Sequence, residues 1–179
     1  MVKITVSGHP GSGTSTLVNK LVQSYSWTSL NGGDVFRSEA KKRGMELADF
    51  AELCKVDLQV DKELDDLLKE KMSGHDSFDI VESRLSGWWA HLLNIDCVRL
   101  WIDVNDEVRA QRVVYREGGT VIQAIEENAK RSAVDAERFS KLYNIQPQDR
   151  EAYTHVLDAS EMSVDEVFSA VVKILEDFK

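Results

Sequence analysis

The chain has 179 residues, of which 42% are hydrophobic and 30% are charged, and these proportions are typical of one soluble globular domain. No apolar run approaches the roughly 20 residues that cross a bilayer, so no membrane partner is expected. The formal net charge of -9 disfavours a broad phosphate-backbone interface, so no nucleic-acid partner is expected either.

Short β-rich stretches alternate along the chain with longer segments of helical periodicity. In the first half, the predicted elements are a strand at 4–7, a helix from Thr14, a strand at 27–30, a helix from Asp34 to Gly44, and a charged helical block at 46–73 that residues 73–76 close. In the second half, they are a strand at 78–82, a short helix through Trp88 and Trp89, a strand at 98–104, a helix to Gly118, a helix from Thr120 to about Leu142, a strand at 155–159 and a C-terminal helix.

Five strands separated by helices predict a three-layer α/β fold, in which helices cover both faces of a five-stranded parallel sheet. The predicted helix N-caps are Asp34, Asn105 or Asp106, Thr120 in a capping box with Gln123, and Ser163. Sheets of this kind bind ligands at the carboxyl ends of their strands. The functional site is therefore expected at that edge, next to the long helical insertions after strands two and four.

A glycine-rich turn between the first strand and the first helix matches the phosphate-binding motif G-x-x-x-x-G-K-[ST] except at the lysine. This glycine loop (residues 8–16) consists of Gly8, His9, Pro10, Gly11, Ser12, Gly13, Thr14, Ser15 and Thr16, with Thr14 in place of the lysine. Its backbone amides and the positive end of the following helix are expected to bind phosphate, and Ser15 has the position of the Mg²⁺-ligating hydroxyl. The alternative is a turn without a ligand, which the strand–turn–helix context disfavours.

Two sets of charged residues recur at helical spacing further along the chain. The first set is Arg109, Arg112 and Arg116, and the second is Arg131, Asp135 and Arg138. Each set predicts one charged helical face, and the glycine pair at 118–119 predicts a hinge between them. Such a lid would exclude water and stabilise charge on a transferring phosphoryl group. The alternative is a solvated surface with ion pairs such as that of Asp135 with Arg131.

Other candidate residues follow the predicted strands. Arg37 and Arg84 come after strands two and three, where an acceptor molecule would bind. Asp103 ends the fourth strand and is expected to be a helix cap rather than a ligand of a magnesium-bound water. Cys54 and Cys97, a helix residue and a buried strand residue, predict neither a disulfide nor a metal site. The chain start lacks a signal-peptide layout, which predicts a cytoplasmic protein.

These motifs resemble the nucleoside monophosphate kinases, and most closely the archaeal-type cytidylate kinases, over nearly the whole chain. The glycine loop is similar to the phosphate loop of that group, which also tends to carry threonine instead of lysine. The segment Gly33-Asp-Val-Phe-Arg37 resembles the monophosphate-binding segment, and Glu82-Ser-Arg-Leu85 resembles the E-G-R-L segment. The second charged set is similar to the R-x-x-x-D-x-x-R motif, whose arginines approach phosphate and cytosine and whose aspartate helps to bind ribose.

The resemblance implies a P-loop kinase fold with a core at 1–32, 76–108 and 139–179, a monophosphate-binding insertion at about 33–75 and a lid at about 109–138. It implies phosphoryl transfer from ATP, bound with Mg²⁺ on the glycine loop, to CMP or dCMP, in a monomeric enzyme. The implied catalytic residues are Arg109, Arg112, Arg116 and Arg131. The implied acceptor-binding residues are Gly33, Asp34, Arg37, Arg84, Arg131, Asp135 and Arg138.

Two alternative functions remain open from the residues. One is a kinase for another small acceptor, such as UMP, AMP, shikimate or dephospho-coenzyme A. The other is a non-catalytic nucleotide-binding protein that lost the lysine of its phosphate loop together with its activity. The first predicts turnover with a different acceptor, whereas the second predicts ATP binding without turnover.

Overall fold

The computed structural model describes residues 1–74 and 78–178. His75, Asp76, Ser77 and Lys179 lie outside the described residues. Two predictions therefore fall partly or wholly outside the described residues. One is the end of the helical block at 73–76, and the other is the boundary between the insertion and the core at residues 75 and 76.

The predicted five-stranded parallel sheet is confirmed. Its strands are β1 (Ile4–Gly8), β2 (Ser29–Asn31), β3 (Ile80–Glu82), β4 (Val98–Asp103) and β5 (His155–Asp158), in the spatial order β2-β3-β1-β4-β5. β1 lies at the centre, where Thr5 is in register with Val81 of β3 and with Arg99 of β4. Every residue of β1 is buried, because helices cover both faces of the sheet.

Helices form the two outer layers and the insertions at the carboxyl edge of the sheet. They are α1 (Thr14–Tyr25), α2 (Gly32–Lys42), α3 (Leu47–Val56), α4 (Leu58–Ser73), α5 (Ser86–Leu92), α6 (Asp106–Glu117), α7 (Val121–Tyr143) and α8 (Val164–Asp177), with a short 3₁₀ turn at Arg150–Ala152. On one face of the sheet, Leu21 of α1 and Val171 of α8 share a core cluster with Ile4. On the other face, Trp89 of α5 shares a cluster with Val81.

Two boundaries in the first insertion differ from those predicted. Helix α2 begins at Gly32, and its N-cap is Asn31 rather than Asp34, because the Asn31 side chain accepts a hydrogen bond from the Gly33 amide (2.7 Å). The predicted helical block at 46–73 is divided into α3 and α4 at Asp57. The Asp57 side chain caps α4 by accepting a hydrogen bond from the amide two residues further on (2.9 Å).

The caps of the later helices follow the sequence more closely. The predicted capping box at Thr120 is present, and the predicted N-cap Ser163 is confirmed, where the structure shows a capping box with Glu166 as well. Asn105 caps α6 through a hydrogen bond from the Val108 amide (2.9 Å). The prediction that Asp103 is a helix cap is therefore wrong, since Asp103 is the last residue of β4 and lies two positions before the residue that caps α6.

The two cysteines are buried free thiols, as expected. Cys54 lies in α3, whereas Cys97 lies immediately before β4 rather than in a strand. Burial raises the pKa of each thiol to about 11, so neither is ionised at neutral pH. Among the helices of the described ranges, none combines the length and the apolar character that crossing a membrane requires.

Close packing of α5 against the end of the chain predicts that Gly87→Ala is destabilising. A Cβ at Gly87 would lie 2.3 Å from a ring carbon of Tyr153, whose hydroxyl is held by the Pro147 carbonyl oxygen. We expect the free energy of unfolding to fall by about 2 kcal/mol, measured by urea denaturation. The control is Gly74→Ala, where the nearest atom is 3.5 Å away and a change within about 0.5 kcal/mol is expected. Equal stability of the two variants would contradict the prediction.

Candidate functional site

The glycine loop leaves β1 at the carboxyl edge of the sheet and leads into α1. Gly11 and Gly13 have φ angles of 83° and 88°, in the left-handed region that glycine enters without strain. A Cβ on Gly8 would lie 2.9 Å from the Ile102 carbonyl oxygen, and one on Gly11 would lie 2.8 Å from the Arg109 carbonyl oxygen. The turn geometry and the close backbone approach therefore both require glycine here.

Two arginines of α6 hold the carbonyl oxygens of the glycine loop. Arg109 donates to the carbonyl oxygen of Pro10 (2.9 Å), and Arg112 donates to that of Ser12 (3.0 Å). Because the C=O and N–H groups of a trans peptide point in opposite directions, the amides that follow Pro10 and Ser12 point away from these guanidinium groups. Within the described ranges neither amide donates to another protein group, so both are free to bind an anion.

Arg84, which follows β3, connects the glycine loop to α7. It donates to the Gly8 carbonyl oxygen (3.0 Å) through Nη1 and to the Asp135 carboxylate (3.0 Å) through Nε. Arg138 approaches the same carboxylate at 3.5 Å. The predicted ion pair of Asp135 with Arg131 is therefore wrong. Among the residues that the structure describes, Arg131 has no ion-pair partner, and its side chain is exposed.

The carboxylate of Glu82, at the end of β3, connects the start of α1 with the end of β2. It accepts a hydrogen bond from the Ser15 hydroxyl at Oε1 (2.7 Å) and one from the Asn31 side-chain amide at Oε2 (2.7 Å). Ser15 lies in the first turn of α1, and Asn31 ends β2 and caps α2. Although Glu82 is only 6% exposed, both of its oxygens are thus satisfied, and the starts of α1 and α2 are both tied to the end of β3.

A cavity of about 730 Å³ opens between the glycine loop, the insertion and α7. Of the predicted site residues, its lining includes Gly8, His9, Pro10, Gly11, Gly13, Thr14, Ser15, Thr16, Gly33, Arg84, Arg116, Arg131, Asp135 and Arg138. Ser12, the remaining residue of the glycine loop, is buried. Tertiary structure therefore brings positions from distant parts of the chain around one space at the carboxyl edge of the sheet.

Besides Ser12, four predicted site residues lie outside this lining. Arg109 is 5% exposed and Arg112 is partly buried, and both contact the backbone of the glycine loop as described above. Asp34 and Arg37 form an exposed ion pair with each other on α2 (2.6 Å). Of the first arginine set, Arg116 reaches the cavity, while its guanidinium group also pairs with the neighbouring Glu117.

Several further cavity residues were not predicted. They include Asn31, Val35, Phe36, Lys55, Asp61, Leu64, Asp65, Leu68, Glu82, Lys130, Val134 and Phe139. The sequence does contain an indication that Glu82 belongs to the site, because it is an acidic residue at the end of a buried strand. Asp61 and Asp65 share a helical face with Leu64 and Leu68, but periodicity alone does not say what that face meets.

The oxygen ligands near the glycine loop suit Mg²⁺. The Ser15 hydroxyl and the Glu82 carboxylate, 2.7 Å apart, are the hard oxygen donors that this ion prefers. Among the described residues, no group of three or more His, Cys, Asp or Glu could hold a metal ion by itself. A cation at Ser15 would therefore be completed by phosphate oxygens and water, which is the usual arrangement for Mg²⁺ bound with a nucleotide.

Burial shifts the pKa values of three ionisable groups in the cavity wall. Burial raises the pKa of Asp65 to about 6, although the hydrogen bond from the Tyr143 hydroxyl (2.9 Å) opposes this shift. Burial also raises the pKa of Asp61, against the influence of the Arg138 guanidinium. The pKa of His9 is lowered, first by burial and then by nearby arginines, so its ring is neutral at physiological pH.

Known proteins resemble the chain over most of its length. A family model described as an AAA domain matches residues 7–129. A cytidylate kinase of Methanocorpusculum labreanum is 37% identical over 171 residues, which cover 95% of this chain and 94% of the relative. A cytidylate kinase of Pyrococcus furiosus is 37% identical over 174 residues, which cover 97% of this chain and 88% of the relative. The chain belongs to the cytidylate kinase family.

The fold is shared with a solved structure. The crystal structure of an uncharacterized protein from Eubacterium ventriosum has a TM-score of 0.76 and covers 98% of both chains. The sequence identity is 16%, so this likeness concerns the fold alone. The three-layer α/β fold of this cytidylate kinase family member is that of the P-loop kinases.

The raised pKa of Asp65 predicts a pH-dependent stability in this cytidylate kinase family member. Between its ordinary value of 3.8 and its folded value of about 6, the folded state binds more protons than the unfolded state, so stability falls as pH rises through this window. Asp65→Asn keeps an acceptor for Tyr143 and removes the titration. We expect the variant to resist urea better than the wild type at pH 7, with the difference shrinking towards pH 4.5.

Asp66→Asn is the matched control on the same helix. Hydrogen bonds from Lys62 and Lys69 lower the pKa of Asp66, so its ionised form stabilises the fold above its ordinary pKa. Its replacement should therefore change stability at pH 7 in the opposite direction or leave it unchanged. If the stability of the Asp65→Asn variant has the same pH dependence as that of the wild type, the pKa of Asp65 is not raised in the folded state.

Proposed function

We propose that this protein is a cytidylate kinase that transfers the γ-phosphoryl group of ATP to CMP or dCMP, giving ADP and CDP or dCDP. The observation that carries the proposal is that the glycine loop and the residues Arg131, Asp135 and Arg138 line one cavity. The glycine loop is suited to a phosphate chain, and Arg131, Asp135 and Arg138 have the spacing of the R-x-x-x-D-x-x-R motif to which the sequence is similar. ATP and the acceptor nucleotide are the proposed small-molecule partners.

In the proposed mechanism the protein aligns two phosphates and neutralises charge. The acceptor oxygen belongs to a phosphate that is already ionised, so no side chain needs to remove a proton from it. The free amides of the glycine loop and the N-terminus of α1 would bind the donor phosphates. Rate acceleration would then come from holding acceptor and γ-phosphate in line and from positive charge around the transferring group.

Mg²⁺ is the proposed cofactor, and the Ser15 hydroxyl is its proposed protein ligand. Glu82, which accepts the Ser15 hydrogen bond, would orient that hydroxyl or a water bound to the ion. When bound, the ion neutralises charge on the β- and γ-phosphate oxygens. Ser15 and Glu82 then keep the phosphate chain at the carboxyl edge of the sheet.

The arginines divide into two proposed roles according to what they contact. Arg109 and Arg112 hold loop carbonyl oxygens, so they would act by shaping the glycine loop around the donor. Arg116 and Arg131 line the cavity and would supply the charge that the missing lysine of the loop does not. We place the lid at about 109–138, within α6 and α7, and the acceptor insertion at about 33–75, in α2 to α4.

The fold of the insertion suggests how the acceptor would be held. Gly33 and the cavity-facing side chains of α4 would lie beside CMP, and Arg84 would approach its phosphate. Asp34 and Arg37 pair with each other on the exposed side of α2, so they would need to rearrange to reach the acceptor. We further propose that the enzyme acts as a cytoplasmic monomer without a nucleic-acid partner.

A coupled assay of ADP release tests the function directly. The purified chain would receive ATP and Mg²⁺ with each of CMP, dCMP, UMP, AMP and GMP in turn. We expect turnover mainly with CMP and dCMP, and its loss when EDTA removes the metal. Turnover confined to another acceptor would refute the substrate assignment. ATP binding without any turnover would support the non-catalytic alternative instead.

Arg131→Ala is expected to slow the reaction strongly. Arg131 lines the cavity without an ion-pair partner in the described part of the chain, so its charge is available to the transferring phosphoryl group. We expect kcat with CMP to fall at least tenfold, which is about 1.4 kcal/mol of barrier. Arg150→Ala removes another exposed arginine that lies outside the cavity lining and should leave kcat unchanged. Near wild-type turnover of the Arg131 variant would exclude its catalytic role.

A further inference from the structure

The side chain of Ser86 ties the turn between β3 and α5 to the end of β1. Ser86 is the first residue of α5 and is 0% exposed. Its hydroxyl oxygen lies 3.2 Å from the Val6 carbonyl oxygen and 3.0 Å from the Ser7 hydroxyl oxygen. Ser7 directly precedes Gly8, where the glycine loop begins, so one buried hydroxyl connects the turn to the strand end from which the loop departs.

The same hydroxyl fixes the backbone of this β3–α5 turn (residues 83–85). It accepts a hydrogen bond from the Ser83 amide (3.3 Å) and lies 3.3 Å from the Ser83 carbonyl oxygen. Ser83 stands where the E-G-R-L segment has glycine, and its φ angle is not among the positive ones of the described residues. The turn therefore has an ordinary backbone conformation, and the Ser86 side chain contacts both polar backbone groups of Ser83.

The β3–α5 turn carries Arg84, whose guanidinium group contacts two sides of the site. Arg84 donates to the Gly8 carbonyl oxygen and to the Asp135 carboxylate, each at 3.0 Å. The residue before Arg84 is held by the Ser86 hydroxyl, and so is the residue before Gly8. The donor and the acceptor of the hydrogen bond between Arg84 and Gly8 are therefore both anchored next to one buried oxygen.

We propose that Ser86 is a positioning residue for phosphoryl transfer, which acts by holding Arg84 in register with the glycine loop. The hydroxyl keeps the β3–α5 turn in a fixed place beside β1, so the Arg84 guanidinium reaches the Gly8 carbonyl oxygen and the acceptor phosphate from one position. In-line transfer is sensitive to displacements of about 1 Å between the reacting groups. The assignment rests on the proposed function, in which Arg84 approaches the acceptor phosphate beside the donor loop.

Burial leaves no substitute for this hydroxyl group. Because Ser86 is fully buried, bulk water cannot take its place between the turn and β1. Ser7 keeps a hydrogen bond from the Gly87 amide (3.3 Å), but that bond holds α5 and not the turn. Without the Ser86 oxygen, the Ser83 amide would lose its acceptor, so the turn is expected to shift and to carry Arg84 with it.

Ser86→Ala, combined with Arg84→Ala in a double-mutant cycle, tests the assignment. In the wild-type background we expect Ser86→Ala to lower kcat/KM for CMP about tenfold. In the Arg84→Ala background the same change should lower it by less than about twofold, because the side chain through which Ser86 acts is already absent. A loss by the same factor in both backgrounds, as a merely structural role predicts, would overturn the proposal. A Ser86→Ala enzyme with the kcat/KM of the wild type would overturn it as well.

The two Michaelis constants provide a second readout. Arg109 and Arg112 still hold the glycine loop in Ser86→Ala, so KM for ATP should change by less than about twofold while KM for CMP rises. General damage to the fold would raise both constants. Thr5→Val is the matched control, because Thr5 is a fully buried β1 residue whose hydroxyl has no partner among the described residues. Its kcat/KM should stay within about twofold of the wild-type value.

A second variant, Ser7→Ala, keeps the test decisive if Ser86→Ala does not fold. It removes the other hydroxyl of the pair between β1 and α5. In the same cycle with Arg84→Ala, we expect a loss of kcat/KM only where Arg84 is present. Equal losses in both backgrounds of an active enzyme would refute the role of Ser86 alone, whereas a wild-type enzyme without turnover of CMP would refute the proposed function itself.

Discussion

Arginine side chains that donate to carbonyl oxygens of the glycine loop set the geometry on which the site depends. Glycine alone permits the turn, because φ is positive at Gly11 and Gly13, but the same freedom would let the loop adopt other conformations. Arg84, Arg109 and Arg112 restrict it from two sides by holding three of its carbonyl groups. The amides that follow Pro10 and Ser12 are thereby oriented before any phosphate arrives, so the ligand does not have to order them.

A second set of interactions crosses the cavity and connects the insertion, the core and α7. Asp61 pairs with Arg138, Asp65 accepts from Tyr143, and Asp135 accepts from Arg84. These contacts hold α7 against α4 of the insertion and against the residue that follows β3. Closure of a lid over the substrate would have to exchange some of them for contacts with the bound nucleotide.

Predictions from the sequence were correct where a local pattern is compatible with only one local structure. The strand–turn–helix with its glycines, the alternation of five strands with helices, and the N-caps at Thr120 and Ser163 all follow from short-range periodicity and hydrogen bonding. They failed where two local solutions compete. Asn31 and Asp34 are both good N-caps, and the hydrogen bond between Asn31 and Glu82 favours the first. The helical block at 46–73 has no glycine or proline at Asp57, so its division there had no strong signal.

The sequence by itself determined the fold class, the family and the motifs that surround the cavity, because these depend on residue type and spacing. Tertiary structure alone decided the partner of each charged side chain. Arg109 and Arg116 lie seven residues apart and were expected to act together, yet one is buried on a loop carbonyl and the other reaches the cavity. Likewise, Asp61 is one of many acidic residues in a charged helix, and only the approach of α7 gives it Arg138 and leaves its second oxygen unpaired. The partner of a charged side chain depends on how elements distant in sequence pack together. Helical periodicity describes one helix at a time and therefore cannot predict that partner.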